Sequence, residues 1–169
     1  MCYNSVLSNK IKNDATVEPV SIDDFKLQYA KIDFPEEDQL IAQLLKAARH
    51  ILEQRYNIDI ISKTRSVIVN NSCGMIDLPG GPIKNIVDES NYKLIDQYLK
   101  YPISCEVSIE YESGYDISDV PDEYKIAIMS QALYMFENRG DNTENKSQIS
   151  PEADSIMCNY SRNTLGMWL

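Results

Sequence analysis

The sequence predicts a mainly α protein: a helical bundle of about four helices that carries a small antiparallel β element between the second and third helices. Three observations support this prediction. Apolar residues recur at helical spacing in two long stretches, the period changes to two between about residues 62 and 113, and capping sequences precede the helices. With 169 residues, 43% of them hydrophobic, the chain has the size and composition of one globular domain.

The N-terminal part of the chain combines an irregular segment with a short helix. Residues 1–19 are polar and show no clear period, so we predict a flexible N-terminal arm there. Ser21 and Asp24 then form a capping box, in which a hydroxyl and a carboxylate each satisfy a free backbone amide. Ile22, Phe25 and Tyr29 follow on one face of a helix that ends near Ala30.

The second helix has the clearest periodicity in the chain. It begins near Pro35, which is favourable in a first turn because proline has no N–H to satisfy, and it ends near Tyr56. Its apolar residues recur every three or four positions: Leu40, Ile41, Leu44, Leu45, Ala48, Ile51, Leu52 and Tyr56. His50 falls with Lys46, Glu53 and Gln54 on the opposite face, which predicts a solvated histidine.

A period of two predicts five short strands within a β element of about residues 62–113. They are Thr64–Val69, Met75–Leu78, Ile83–Val87, Tyr92–Ile95 and Glu106–Tyr111. Pro79–Pro82 separates two of them and contains two glycines. A phosphate-binding loop needs free backbone amides leading into a helix, so the two prolines and the flanking strands favour a plain turn.

Two helices follow the β element. Pro121 opens the third with three acids, Asp119, Asp122 and Glu123, at its positive end. This helix is apolar over more than half of its circumference, which predicts a position in the centre of the core. Ser150–Asp154 opens a last short helix that runs to about Tyr160.

Charge and cysteine usage exclude several classes of function. A net charge of −10 is unfavourable for binding the phosphate backbone of nucleic acids, which needs lysine and arginine. The cysteines at 2, 73, 105 and 158 are scattered and there is one histidine, so we expect neither a zinc site nor a disulfide framework, and no cofactor. We expect neither a signal peptide nor a membrane span, because no segment has the necessary apolar run.

The densest group of carboxylates is Glu106, Glu110, Glu112, Asp116 and Asp119. Hard cations prefer oxygen ligands, but the spacing of these acids fits no calcium loop, and the first two alternate along a strand as a solvent face does. No serine or cysteine has a histidine partner that could activate it. We therefore predict a protein that binds other macromolecules and is not an enzyme.

The order of these parts resembles the head–tail connector (adaptor, or head-completion) proteins of tailed bacteriophages. The resemblance covers about residues 20–162, which we treat as the connector domain. The matching segments are Val20–Lys26, Glu36–Ile41, Ala47–Arg49 with Glu53, Ile76–Pro79 with Pro82–Ile83, Val107–Tyr111 with Gly114–Tyr115, Val120–Pro121, Tyr134–Arg139 and Ile156–Arg162.

The resemblance implies a structural virion protein with several partners. Copies of such proteins form a ring, typically twelvefold, beneath the phage portal protein, and they extend the channel through which DNA leaves the capsid. Other neck or tail proteins bind the ring, and DNA passes through the lumen without sequence-specific binding. The expected location is the neck between capsid and tail, assembled in the cytoplasm of the bacterial host.

The C-terminal segment 163–169 is predicted to be a docking tail for the portal or for a neighbouring subunit. Its apolar residues Leu165, Met167, Trp168 and Leu169 are unfavourable in a free tail. Trp168 is the only tryptophan, and buried tryptophans are frequent anchors of interfaces. Alternatively, Trp168 packs on the protein's own helices.

Two other functions fit the composition. An acidic DNA mimic would occupy the basic cleft of a host or phage DNA-binding protein, and it would be a monomer or a dimer. A metal-dependent phage enzyme would use the acids near Glu110, bind Mg²⁺ and turn over a substrate.

Deletion of residues 163–169 separates the two interpretations of the tail. If the segment docks, the shortened chain keeps its melting temperature and no longer joins the portal in a pull-down. If it packs on its own helices, the melting temperature falls clearly. Unchanged melting together with unchanged portal binding contradicts both interpretations.

Overall fold

The protein has an α+β fold, and the prediction of a mainly α bundle is wrong. The computed structural model describes residues 5–14, 16–31, 35–71, 74–87, 93–95, 98–100, 104–139 and 149–160. Strands make up 31% of the described residues and form two antiparallel sheets. Four α-helices accompany seven strands in the described residues.

The chain divides into two compact units. The first, here called the β unit, contains the N-terminal strand and Asn57–Asp116. The second, here called the helical unit, consists of Val17–Tyr56 and Ile117–Ser161. The β element is therefore larger than a small insertion into a helical bundle.

The β unit contains the seven strands. In chain order they are β1 (Ser5–Asn13), β2 (Lys63–Asn71), β3 (Met75–Asp77), β4 (Ile83–Ile86), β5 (Lys93–Ile95), β6 (Tyr98–Lys100) and β7 (Ser104–Ser113). The larger sheet has the order β1-β2-β7-β4 and the smaller one the order β3-β6-β5. Neighbouring strands are antiparallel in both sheets.

Side chains from both sheets form the apolar core of the β unit. Alternate residues of β2 and β7 are buried, as expected for a sheet with one covered face. The core consists of Val67, Val69, Ile76, Leu78, Ile86, Leu99, Val107, Ile109 and Tyr111. The other face of β7 carries Glu106, Ser108, Glu110 and Glu112, which are exposed or half-buried.

In its described residues, the helical unit contains four α-helices and three 3-10 turns. The α-helices are α1 (Ile22–Asp24, continued by a π-helical turn Phe25–Ala30), α2 (Asp38–Tyr56), α3 (Asp122–Glu137) and α4 (Pro151–Met157). The 3-10 turns are Pro35–Glu37, Ile117–Asp119 and Cys158–Tyr160. None of the described helices is long and apolar enough to cross a bilayer.

Helix α3 packs against both α2 and α4, which agrees with its predicted central position. Buried polar groups on α3 also hold the start of α4. The backbone N–H of Ser150 donates to Gln131 Oε1 at 2.8 Å, and the hydroxyls of Ser130 and Ser150 lie 2.8 Å apart. Such pairing is required because a buried polar group without a hydrogen bond is costly.

The N-terminal cap of α1 forms where the capping box was predicted, with different pairing. Ser21 Oγ accepts a hydrogen bond from the backbone N–H of Asp24 at 3.0 Å. The Asp24 carboxylate accepts from the same hydroxyl at 2.6 Å. The hydroxyl thus satisfies one of the free amides that begin a helix.

Two strands differ from the sequence prediction. Ser5–Asn13 of the predicted arm forms β1, and β6 lies between two predicted strands. Eight of the nine residues of β1 are exposed. An exposed edge strand needs no alternation of apolar and polar residues, so β1 has no period-two pattern by which it could be found.

The C-terminal end of α2 is tied to α4 by a tyrosine. The Tyr56 hydroxyl donates to a carboxylate oxygen of Asp154, and the Tyr56 residue is only 5% exposed. Burial, followed by the hydrogen bond and the charge of Asp154, raises the pKa of Tyr56 to about 12. Tyr29 has a pKa of about 12 as well, chiefly through burial and then through Glu152.

Tyr56→Phe tests this tie. At pH 8 the variant is less stable by about 1 kcal/mol because one hydrogen bond is lost. Between pH 10 and 12 the unfolded wild type loses the tyrosine proton before the folded protein does, so the contribution of Tyr56 is complete below pH 10 and is lost by pH 12. Urea unfolding followed by circular dichroism measures both effects. If the difference in unfolding free energy between wild type and variant stays constant from pH 8 to 12, the hydrogen bond from Tyr56 to Asp154 is contradicted.

Candidate functional site

The predicted docking residues lie outside the described part of the chain. Leu165, Met167, Trp168 and Leu169 belong to the segment after Tyr160, which the structure does not describe. The docking tail therefore stays a prediction. The described residues offer other features that bear on function: a buried ionic cluster beneath a turn, a second ionic cluster on α2, a charged sheet face and two sheet edges.

The ionic cluster of the β unit is centred on Asp59, which is fully buried. Arg65 binds both oxygens of its carboxylate, with Nε at 2.7 Å from Oδ2 and Nη2 at 2.5 Å from Oδ1. Ser113 Oγ donates to Oδ2 at 2.5 Å, and Lys63 Nζ lies 3.7 Å from Oδ1. These groups replace the water that a carboxylate loses on burial.

The two-proline turn lies directly against this cluster. The backbone N–H of Asp59 donates to the carbonyl of Gly81 at 2.9 Å, and the Tyr111 hydroxyl donates to the carbonyl of Pro79 at 2.6 Å. The N–H of Gly80 donates to Asn57 Oδ1 at 3.3 Å. Pro79–Pro82 is thus a turn, as predicted, and it is fastened to the core at three points.

Gly80 has no space for a side chain. Its φ is +73°, a conformation that L-residues rarely adopt. A Cβ atom at this position would overlap Asp59 Oδ2 and lie 2.9 Å from Arg65 Nε. The glycine therefore permits the close approach of the turn to the cluster, and the turn leads directly into β4.

A second ionic cluster lies in the helical unit. Arg49 of α2 is fully buried and donates to both oxygens of Glu18, from Nε at 2.7 Å and from Nη2 at 2.9 Å. Its Nη1 donates to Glu53 Oε2 at 2.9 Å. The cluster fastens the segment before α1 to α2.

This arrangement corrects the predicted faces of α2. Glu53 was expected on a solvated face, and it is 5% exposed beside Arg49. The side chain of His50 is 35% exposed, and its Nδ1 lies 3.8 Å from Glu53 Oε2. Helical periodicity assigns charged residues to the surface, so a charge that is buried with its partner cannot be found from it.

The predicted carboxylate group is spread over an outer sheet face and the following turn. Glu110 accepts from Lys12 of β1, and Asp116 is 2.7 Å from Lys84 Nζ of β4. Within the described ranges, no three side chains of histidine, cysteine, aspartate or glutamate converge as a cation site would require. The arrangement is that of a solvated face crossed by ion pairs.

Asp59 and Arg65 were not predicted from the sequence as functional or structural residues. The available signal was Gly80–Gly81 between two prolines, because adjacent glycines at a turn often allow close approach of the backbone to another group. Arg49 and Glu53 were matched to the family pattern, but their burial was not predicted, although opposite charges four residues apart on one helix are visible in the sequence.

The fold is similar to that of chains in gene transfer agent (GTA) particles. A chain from the neck of the empty GTA particle computed with C6 symmetry has a TM-score of 0.73 and 14% identity, over 95% of this chain and 98% of that chain. A chain from the virion of the native GTA particle has a TM-score of 0.73 and 15% identity over the same shares. A chain from the native neck computed with C12 symmetry has a TM-score of 0.64 and 14% identity over 93% and 98%.

No protein-family model and no curated protein matches the sequence. The structural likeness spans nearly the whole of both chains, so the fold is that of neck and virion chains of a phage-like particle. The resemblance that was read from the sequence is confirmed at this level.

Gly80→Ala tests the packing of the turn on the ionic cluster. Gly74→Ala is the matched control, because Gly74 has nearly the same φ, +75° against +73°. We expect the control to lose about 1–2 kcal/mol from backbone strain, and Gly80→Ala to lose about 1–3 kcal/mol more from steric overlap. Urea unfolding gives both values, and equal losses contradict the close packing.

Proposed function

We propose that this chain is a structural subunit of the neck of a tailed bacteriophage or a phage-like particle, where it acts as a head–tail connector and not as an enzyme. The shared fold supports this proposal most strongly, since it extends over 95% of this chain and 98% of a GTA neck chain with a TM-score of 0.73. Likeness over the full length favours a common role more than likeness of one motif does.

In this proposal, identical copies form a ring beneath the portal protein. A ring requires a head-to-tail interface, in which two different surfaces of each copy meet. The symmetries C6 and C12 of the similar neck structures are those of rings. The predicted twelvefold ring is compatible with both, because a twelvefold ring also has sixfold symmetry.

The distribution of charge supports a passage for DNA through the ring. The helical unit, Val17–Tyr56 and Ile117–Ser161, contains 16 acidic and 8 basic residues. Residues 1–16 and 57–116, which include the β unit, contain 10 acidic and 7 basic residues. The formal charges are thus −8 and −3. A surface as acidic as the helical unit repels phosphate and offers no release of counterions, so DNA can pass without binding.

The two units can have different functions in a connector. We propose that the helical unit supplies the acidic wall of the channel and that contacts between copies use the more nearly neutral β unit, where like charges repel less. The docking tail, residues 163–169, would then attach the ring to the portal, and other neck or tail proteins would bind its far side.

Electron cryo-microscopy of the particles that contain this chain tests the proposal. We expect a ring of identical copies between portal and tail, with acidic side chains of the helical unit on the lumen. Antibodies or tags on the major capsid protein are the control, because they should label the capsid and not the neck. A chain that is absent from the neck, and is instead a monomer or dimer bound to a DNA-binding protein, would support the DNA-mimic alternative and contradict the connector.

A further inference from the structure

Strand β1 forms an open edge of the larger sheet. In the part of the chain that the structure describes, β1 pairs with β2 alone, so one side of its backbone faces outward. Eight of its nine residues are exposed, and none belongs to the apolar core of the β unit. The outward N–H and C=O groups of such a strand can pair with another extended segment.

Polar side chains hold this edge in place. Arg65, which binds the buried Asp59 carboxylate, also donates from Nη1 to Asn9 Oδ1 at 3.1 Å. Lys12 pairs with Glu110 of β7 across the intervening strand β2. β1 is therefore a preformed edge, and a segment that adds to it meets little cost of ordering on this side of the contact.

The inner face of β1 is apolar and uncovered. Val6 lies opposite the core residue Val69. Ile11 lies opposite Arg65, whose guanidinium binds the buried Asp59 carboxylate. Both side chains thus share the face that carries the core, yet Val6 is 50% and Ile11 44% exposed. A strand added to β1 would place its own side chains beside these two, which favours apolar residues at those positions.

The outer face of β1 is basic. Lys10 lies opposite Ser66 on the face of β2 that points away from the core. It is exposed and forms no ion pair with the residues that the structure describes, whereas Lys12 is paired with Glu110. β1 contains no acid, although the net charge of the whole chain is −10. An acidic side chain is therefore favoured beside Lys10.

Protection of the edge does not account for all of these features. Lysines and bulges keep edge strands from pairing indiscriminately, and β1 has both, with register shifts near each end. Protection gives no reason for three exposed apolar side chains on one strand: Val6, Ile11 and Leu7, the last of which is 58% exposed. The regular stretch Ser8–Ile11 also remains available between the irregular ends. β1 is thus restricted to a specific partner and not closed to every partner.

The described edges of the chain itself do not supply a matching strand. Two β1 strands side by side would bring lysines together without an acid, which disfavours two-fold pairing. β3 and β5, the outer strands of the smaller sheet, have three residues each, and β4 has a lysine and no acid. Alternation of apolar residues with acids occurs in β7, at Glu106–Glu112, but β7 is a central strand. The occupant is therefore a segment of another protein.

We propose that β1 binds an extended segment of another neck or tail protein, in which apolar residues alternate with acids, as a fifth strand of the four-stranded sheet. This inference rests on the proposed function, because it gives the chemistry by which the connector recognises one of its partners. Apolar residues of the added strand lie beside Val6 and Ile11, and an acid lies beside Lys10.

Binding of model peptides to the full chain tests the edge. The probe is a capped, fluorescein-labelled peptide of alternating valine and glutamate, and a second peptide has lysine in place of glutamate. In fluorescence anisotropy, we expect Lys10→Glu to weaken binding of the glutamate peptide about tenfold and to strengthen binding of the lysine peptide, because attraction becomes repulsion. Lys46→Glu, the same change at an exposed lysine of α2, is the matched control and leaves both affinities unchanged.

Amide hydrogen exchange locates the bound peptide. We expect slower exchange in residues 5–13 with the glutamate peptide, and unchanged exchange in α2 and α3. A glutamate peptide with an N-methylated backbone cannot donate the strand hydrogen bonds, so it should bind much more weakly. Equal binding of the N-methylated peptide, protection outside residues 5–13, or an affinity that Lys10→Glu leaves unchanged overturns the inference.

Carbodiimide cross-linking in particles separates this inference from the function on which it rests. The reagent joins lysine to carboxylate without a spacer, and mass spectrometry identifies the peptide joined to Lys10. We expect an acid of another particle protein. If the neck ring is intact and Lys10 is unjoined, or joined only to this chain, the inference is wrong and the connector function stands. Particles in which this chain forms no ring contradict the connector function, and the peptide measurements then judge the edge by itself.

Discussion

The buried carboxylate of Asp59 is the constraint on which the architecture of the β unit depends. A carboxylate that loses its water must be paired and hydrogen-bonded, since an unpaired buried charge is very costly. Arg65 and Ser113 satisfy it, and they lie on β2 and β7, the two central strands of the larger sheet. Gly80 packs so closely against Asp59 that a Cβ atom at Gly80 would overlap Oδ2. This contact holds the turn before β4 in one position. The edge at β4 is thereby placed by a charge in the core.

The helical unit also contains a buried charge, that of Arg49. This fully buried guanidinium is held by Glu18 and Glu53, and it fastens the segment that precedes α1 onto α2. In both units, therefore, a buried charge joins segments that are distant in sequence. Asp59 does so through the hydrogen bond from Ser113, and Arg49 through its ion pair with Glu18. The other acids that the structure describes are exposed or half-buried, and the net charge of the chain is −10, as the proposed passage of DNA requires.

The sequence allows much of the helical unit to be predicted, and less of the β unit. α2 and α3 have strong periods and recognisable first turns, so their positions follow from residues alone. β1 has no alternation, since it is an exposed edge, and its contribution to the sheet is visible only in three dimensions. If β1 and β6 had been predicted as strands, the predicted fold class would have been α+β and not mainly α. The burial of Glu53 and Asp59 could not be predicted from periodicity, because both are charged residues whose burial depends on partners elsewhere in the chain.

Amide hydrogen exchange of Asp59→Asn, measured by mass spectrometry, tests most directly whether this carboxylate places the sheet edge. The substitution keeps the size of the side chain and removes its charge, so Arg65 loses its ionic partner. We expect much faster exchange in residues 78–87, the turn and β4, with unchanged exchange in α2 and α3. Unchanged exchange in residues 78–87 would show that the turn and the edge are held by other contacts.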